Sequence, residues 1–230
     1  MLDPKEILLK LDMLSIIDSN RMVFGAAFHD YHLNPPLDEA AFGWIETKYS
    51  ILLPDDYRTF ILEVGNGGAG PFYGLFKLGE HDSGDGFCSW SDGYLLGDPS
   101  APFPYNDRWN LSEAFWSEAP YNQQWGNQDE EDRACEAWDE RLYELYWAPS
   151  IMNGAIPICH RGCALRQWMI VTGPERGNIW NDDRADNGGL SPLISPCGDR
   201  ISFFDWYYDW LNQSISAAEE EEQSSSQSAP

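Results

Sequence analysis

Ala155-Ile156-Pro157-Ile158-Cys159, Gln167-Trp168-Met169-Ile170-Val171-Thr172 and Asn178-Ile179-Trp180 are three short apolar runs. Turns at Arg161-Gly162 and Gly173-Pro174-Glu175-Arg176-Gly177 separate them. β-Branched and aromatic side chains suit a half-buried pleated surface, and the glycine-bearing turns are too short for a crossover helix. The spacing therefore predicts an antiparallel meander. Pro157 has no N–H to give to a ladder, which puts it at an edge or a bulge. Upstream, Phe72-Tyr73-Gly74-Leu75-Phe76-Lys77-Leu78 reads as a further strand.

Outward from the strands the period changes to that of a helix. Ser202 is a capping residue, and Phe203, Trp206, Tyr207, Trp210 and Leu211 follow at helical spacing. Toward the N-terminus, Ile7, Leu8, Leu11, Leu14 and Ile17 predict a helix over Pro4 to Ile17. Pro35-Pro36 bars helix, making His29 to Pro36 a loop. Asp38 or the turn before it opens a helix with Phe42, Ile45 and Tyr49 on one side. Pro54 starts another, with Asp55 and Asp56 in its positive first turn and Tyr57, Phe60, Ile61 and Val64 facing the core. Gly65-Asn66-Gly67-Gly68 must end it, because only glycine enters the required backbone angles freely. A run from Asp129 to Trp147 has one stripe of Ala134, Trp138, Leu142 and Leu145. Residues 1–36 read as a helical lead and 98–149 as an irregular, aromatic-rich insertion. Residues 213–230, with Glu219 to Glu222 and then Gln, Ser, Ala and Pro, read as a disordered tail.

The 230 residues carry 14 basic and 38 acidic side chains, a net charge of −24, with 11 each of Trp, Tyr and Phe. That aromatic content supplies a core and excludes disorder for the bulk of the chain. The charge argues against nucleic acid and anionic membrane as partners, since both would repel it. No apolar stretch approaches the roughly 20 residues that span a bilayer, and Met1 to Lys10 lacks a signal-peptide pattern. The expected location is the cytoplasm. The five cysteines, Cys88, Cys135, Cys159, Cys163 and Cys197, are odd in number and scattered, which is unlike a disulfide framework. Cys159, His160 and Cys163 hint at a metal, but no second pair accompanies them, and buried small hydrophobes are the commoner use.

Several of these blocks together resemble the SUKH superfamily, which includes the fungal cell-wall assembly and glucan-synthesis regulator and many bacterial immunity proteins. The resemblance rests on Leu53-Pro54-Asp55-Asp56-Tyr57, Phe60-Ile61-Leu62 and Asn66-Gly67-Gly68. It continues in Ile156-Pro157-Ile158 ahead of Gly162-Cys163, in Met169-Ile170-Val171-Thr172-Gly173 and in Gly177-Asn178-Ile179-Trp180. It closes on Ser202-Phe203-Phe204-Asp205-Trp206 and Trp210-Leu211. About residues 37–80 and 150–212 are covered. The resemblance implies an α+β fold over 37–212, a mostly antiparallel sheet packed against helices. It implies no catalysis and no cofactor. Its bacterial members bind and silence a cognate polymorphic toxin in the cell that makes it. The 98–149 insertion and the N-terminal lead depart from compact members.

The residues are compatible with a protein-binding role. Residues 78–132 hold twelve acids against one base, Arg108, and interleave them with Trp90, Tyr94, Tyr105, Trp109, Phe115, Trp116, Tyr121 and Trp125. Such a surface suits a basic partner: charge speeds encounter, and a few aromatics supply affinity. A nuclease toxin, whose basic cleft holds its substrate, is one such partner. The candidate contact residues are Asp82, Asp85, Trp90, Asp92, Tyr94, Glu113, Asp129, Glu130, Glu131 and Asp132, with Trp180, Asp182 and Asp183 beside the sheet. The same pattern also fits aromatics in a core beneath a solvated acidic face. Asp182, Asp183 and Asp186 before Asn187-Gly188-Gly189 hint at a calcium loop but lack the EF-hand context. His29-Asp30-Tyr31-His32 has no accompanying nucleophile motif, and neither phosphate-binding nor dinucleotide glycine signatures occur. An interaction scaffold of the cell-wall regulator type and a carbohydrate-binding module are the alternatives.

Overall fold

The computed structural model describes residues 3–79 and 96–227. It is an α+β structure built on a four-stranded antiparallel sheet in the order β1-β2-β3-β4. The strands are β1 Ala155–Gly162, β2 Leu165–Ile170, β3 Ile179–Asp182 and β4 Leu190–Pro192. Pro157 lies on edge strand β1, at a register irregularity between Pro157 and Cys159, where a missing N–H costs least. The β1–β2 hairpin turns one step later than Arg161-Gly162. Cys163 and Ala164, with φ of 48° and 64°, form the two-residue loop whose backbone twist matches paired strands.

The helices are capped as their sequences dictate. Helix α1, Pro4–Ile17, starts where the Asp3 carboxylate accepts the Lys5 and Glu6 amides. A four-residue α2, Ala26–His29, follows. Asp38 caps α3, Glu39–Tyr49, by accepting the Ala41 amide at 2.7 Å. Pro54 precedes α4, Asp55–Glu63, which buries Tyr57, Phe60 and Ile61. Leu53 and Pro54 are also buried. The helix ends before Asn66, whose side-chain oxygen accepts the Leu78 amide at 2.8 Å. Gly68 is demanded twice over. Its φ is +106°, and a Cβ there would lie 2.4 Å from the His32 carbonyl. The 72–78 segment is not a strand. Phe72 and Gly74 take positive φ, which breaks the extended path, and only Leu75 pairs, bridging Gly68 and Cys159.

Both faces of the sheet are covered. Ile156, Ile158, Met169, Val171 and Ile179 meet α1, α3, α4 and α7, Phe203–Gln227, in the main core. Ala155, Trp168, Ile170 and Trp180 face the other way, onto Phe103 from the insertion, Ile151 and Met152 from the short turn that follows it, and Leu190 from β4. The insertion is therefore a second layer rather than an appendage. It contains α5, Glu113–Ser117, and α6, Gln128–Leu142, joined by a third cluster of Phe115, Ala119 and Trp138. A π-helical turn, Tyr143–Trp147, follows α6. Its extra residue per turn advances the phase, so Tyr146 is buried and Leu145, expected in the stripe, is exposed.

The two terminal expectations need correcting. Ile7, Leu11 and Leu14 of the lead belong to the main core, so 1–36 is no separate unit. The expected tail does not begin at 213: α7 runs to Gln227, with Ser214 and Ala218 buried. Asp56 of α4 accepts the Phe204 amide at 3.0 Å, and Ser202 accepts that of Asp205, so two side chains cap α7.

Candidate functional site

The acidic half of the expected surface faces solvent where it is described. Helix α6 carries seven acids and two arginines in fifteen residues. Asn127 caps it by accepting the Glu130 amide at 3.0 Å, which leaves Asp129, Glu130 and Glu131 in the first turn, where the helix dipole favours them. Asp129, Glu130 and Asp132 are exposed, Glu131 half-buried, and Glu113 exposed in the first turn of α5. Glu136, Asp139 and Glu140 continue the exposed acidic face, and Arg141 is tied to Glu118. Asp82, Asp85, Trp90, Asp92 and Tyr94 lie outside the described residues.

The aromatic half turns inward instead. Trp109 stacks on Tyr105 at 5.0 Å and leans on Tyr146 at 5.6 Å. Phe115 lies against Trp138, and Trp116 against Tyr146. The Trp125 indole donates to the Pro120 carbonyl at 3.0 Å. Burial pushes the Tyr105 and Tyr146 phenols up to about 12, so both remain neutral. Among the described aromatics of this stretch only Tyr121 is well exposed.

Trp180 and Asp182, expected at a contact surface, are buried, and Asp183 is partly exposed. Trp180 is wholly buried against Phe103 and donates its indole N–H to Glu175 at 3.1 Å. Glu175 also receives Arg200. Asp182 is buried and gripped by Arg184, Nε to Oδ1 at 2.8 Å and Nη2 to Oδ2 at 2.7 Å, while the Trp168 indole donates at 3.2 Å. The remaining guanidinium arm donates to the Tyr146 carbonyl at 2.9 Å. Asp183 pairs with Arg161. This loop braces the insertion to the sheet, and its carboxylates are already committed to arginines. No group of three or more His, Cys, Asp or Glu among the described residues is arranged to hold a metal ion.

Of the described cysteines and histidines, two accept backbone amides and the rest are packed or exposed. Cys159 is buried and donates to Gln167, and burial raises its thiol pKa. His160 accepts the Gly162 amide at 2.9 Å. Cys163 sits exposed on the hairpin tip, against the expectation of burial; Cys135 and Cys197 are exposed as well. His29 accepts the Tyr31 amide on Nδ1 at 3.1 Å, so its proton sits on Nε2. Burial among Tyr31 and Trp210 pulls the imidazole down to about 4. His32 is exposed beside Asp30.

One feature had no local signal in the sequence. A groove of about 590 Å³ runs along α7, between Trp206, Trp210 and Ala217 on one side and Met22, Phe24, Pro71 and Phe72 on the other. Its residues lie up to 195 positions apart, so no periodicity announces it. Gln167 lines it too, accepting the Trp206 indole and donating to Asn181.

No protein-family model, curated protein or solved structure matches this chain. No helix among the described residues is long and apolar enough to cross a membrane.

Proposed function

We propose that this chain is a non-catalytic, cytoplasmic immunity protein that binds and neutralises a basic protein toxin. The observation that carries the proposal is the outward, largely unneutralised acidic face of α6 and α5, from Glu113 to Glu140, on a body whose net charge is −24. A charge of that sign and density attracts a cationic cleft from a distance and competes with a polyanionic substrate for it. The resemblance to the SUKH superfamily in Leu53-Pro54, Asn66-Gly67-Gly68 and the β1–β3 meander supports the same reading, and that family's toxins include enzymes with such clefts. His29, His160 and the buried Cys159 hold backbone and packing, which supports a binding role over catalysis.

The test is genetic and then physical. The protein encoded beside this chain is expressed in a host with and without it. Rescue by this chain, with a one-to-one complex whose on-rate falls steeply with salt, supports the proposal. A neighbour that is harmless alone, or a complex indifferent to Asp129→Lys/Glu130→Lys, refutes it.

A further inference from the structure

The groove along α7 is unusual in what it leaves uncovered. Met22, Phe24 and Phe28 are each about 60% exposed, and they lie within seven residues of one another. Phe24 and Phe28 both set their rings edge-on to Tyr73, at 5.4 and 4.8 Å, so they form one surface rather than scattered residues. Phe24 also lies edge-on to Phe72, which lines the groove.

The groove's long wall is strongly charged. Helix α7 contains Asp205, Asp209 and Glu219 to Glu222 and no Lys or Arg. Asp209, Gln213 and Ala217 line the groove at four-residue spacing, and Glu221 is the next member of that stripe. No Lys or Arg lines the groove. Arg21 pairs with Asp30, and Arg161, which lies over the Phe72 ring, with Asp183. The lining thus joins an apolar floor to a single carboxylate, Asp209, with Glu221 three turns further along the same stripe of α7. From Trp206 to Ala217 the wall measures about 17 Å at 1.5 Å per residue, which is three turns of a partner helix.

We propose that this groove binds a basic amphipathic helix of the partner protein, its apolar stripe on Phe24, Phe72 and Trp210 and its Lys and Arg side chains against Asp209 and Glu221. The inference rests on the proposed binding of a basic protein and says where the affinity resides: α6 attracts the partner, and the groove holds it. A second copy of this chain is the poorer occupant, because it would bring another −24 charges against the same wall.

The experiment titrates the full chain by calorimetry with three synthetic peptides of about four helical turns. One arranges Leu and Lys at helical period, one replaces Lys with Glu, and one alternates Leu and Lys. The helical Leu/Lys peptide is expected to bind one to one, the alternating one about tenfold more weakly, and the Leu/Glu peptide not at all. Asp209→Lys and Phe24→Ser, both at exposed positions that the fold does not need, are each expected to weaken the helical Leu/Lys peptide about tenfold, whereas Asp129→Lys/Glu130→Lys leaves it within about twofold. If the α6 double variant abolishes binding and the groove variants do not, the groove assignment falls while the basic-partner reading stands. If neither Lys peptide binds even at low salt, both fall. Self-association in sedimentation that Phe24→Ser abolishes would make a second copy the occupant and overturn the proposal.

Discussion

Replacing Arg184 with Met tests whether the Asp182 site is a brace rather than a contact. The Arg184 side chain is fully buried and that of Asp182 nearly so, at 5% exposure. The guanidinium makes two hydrogen bonds to the carboxylate and one to the Tyr146 carbonyl. Without it the carboxylate keeps the Trp168 indole and the residue-184 amide, both at 3.2 Å, and the charge of nearby Arg166, and remains charged in a site that is almost wholly buried. Breaking a buried pair in this way costs about 3–5 kcal/mol. For a chain of this size that corresponds to a fall in Tm of about 10 °C. Asp182→Asn on top of Arg184→Met removes the orphaned charge and should restore about 2 kcal/mol, an interaction that a double-mutant cycle isolates. Urea unfolding followed by near-ultraviolet circular dichroism reads both steps. Arg184→Met within about 1 kcal/mol of the parent, or a double variant less stable than the single, would refute the brace. A contact role for Asp182 predicts the reverse pattern, with affinity lost and stability kept.

Three further outcomes follow from the same structure. His29 titrates at 6.5 when unfolded and at about 4 when folded, so the unfolded chain takes up the proton first as pH falls; stability is intact above about pH 6.5 and drops by about 3 kcal/mol on approach to pH 4. Urea titrations at several pH values should show a smaller drop in His29→Gln, and equal slopes would exclude His29 as the source. Gly68→Ala, with its positive φ and a Cβ 2.4 Å from the His32 carbonyl, should cost at least about 2 kcal/mol, and thermal melting that shows under about half of that contradicts the assigned turn. Truncation after Ala218 should leave Tm nearly unchanged, whereas truncation after Asn212 removes buried Ser214 and Ala218 and should lower it by several degrees; equal melting of both would mean that 213–218 is not part of the core.

Helices α1, α3 and α4 were legible because each begins at a residue that can satisfy free amides or dispense with one, and each buries one stripe. The β1–β3 meander was legible because its turns are marked by glycine and proline. The misreadings have one physical origin, namely backbone behaviour set by tertiary contacts. Phe72 takes positive φ although nothing in its type asks for it, and that ended the expected 72–78 strand. Cys163 and Ala164 turn the hairpin where the glycine beside them drew attention. The π turn at Tyr143–Trp147 exchanged Leu145 for Tyr146 by inserting one residue into the helical phase. The end of α7 looked disordered by composition, yet Ala218 finds a place against the core.

Charge and aromaticity differ in how much a sequence reveals about them. A carboxylate without a partner cannot be buried cheaply, so a stretch with twelve acids and one base must show most of them to solvent, and α6 does. A tryptophan is under no such constraint. Its ring serves a core as well as an interface, and here Trp109, Trp116 and Trp138 close the second layer. Acids were therefore a sound guide to a surface, and neighbouring aromatics were not. The exposed aromatics beside the groove, Phe24 and Phe28, came from elsewhere, in a stretch where the sequence carries no excess of acids to draw the eye. Long-range attraction and short-range grip need not share residues, because the first depends on summed charge and the second on a few apolar contacts. If the two are divided between α6 and the α7 groove, reversing α6 acids should slow association and leave dissociation nearly untouched, while Phe24→Ser should do the opposite. Stopped-flow and surface-binding kinetics with the native partner separate these two rates, and a joint change in both for either variant would mean that attraction and grip reside on one surface.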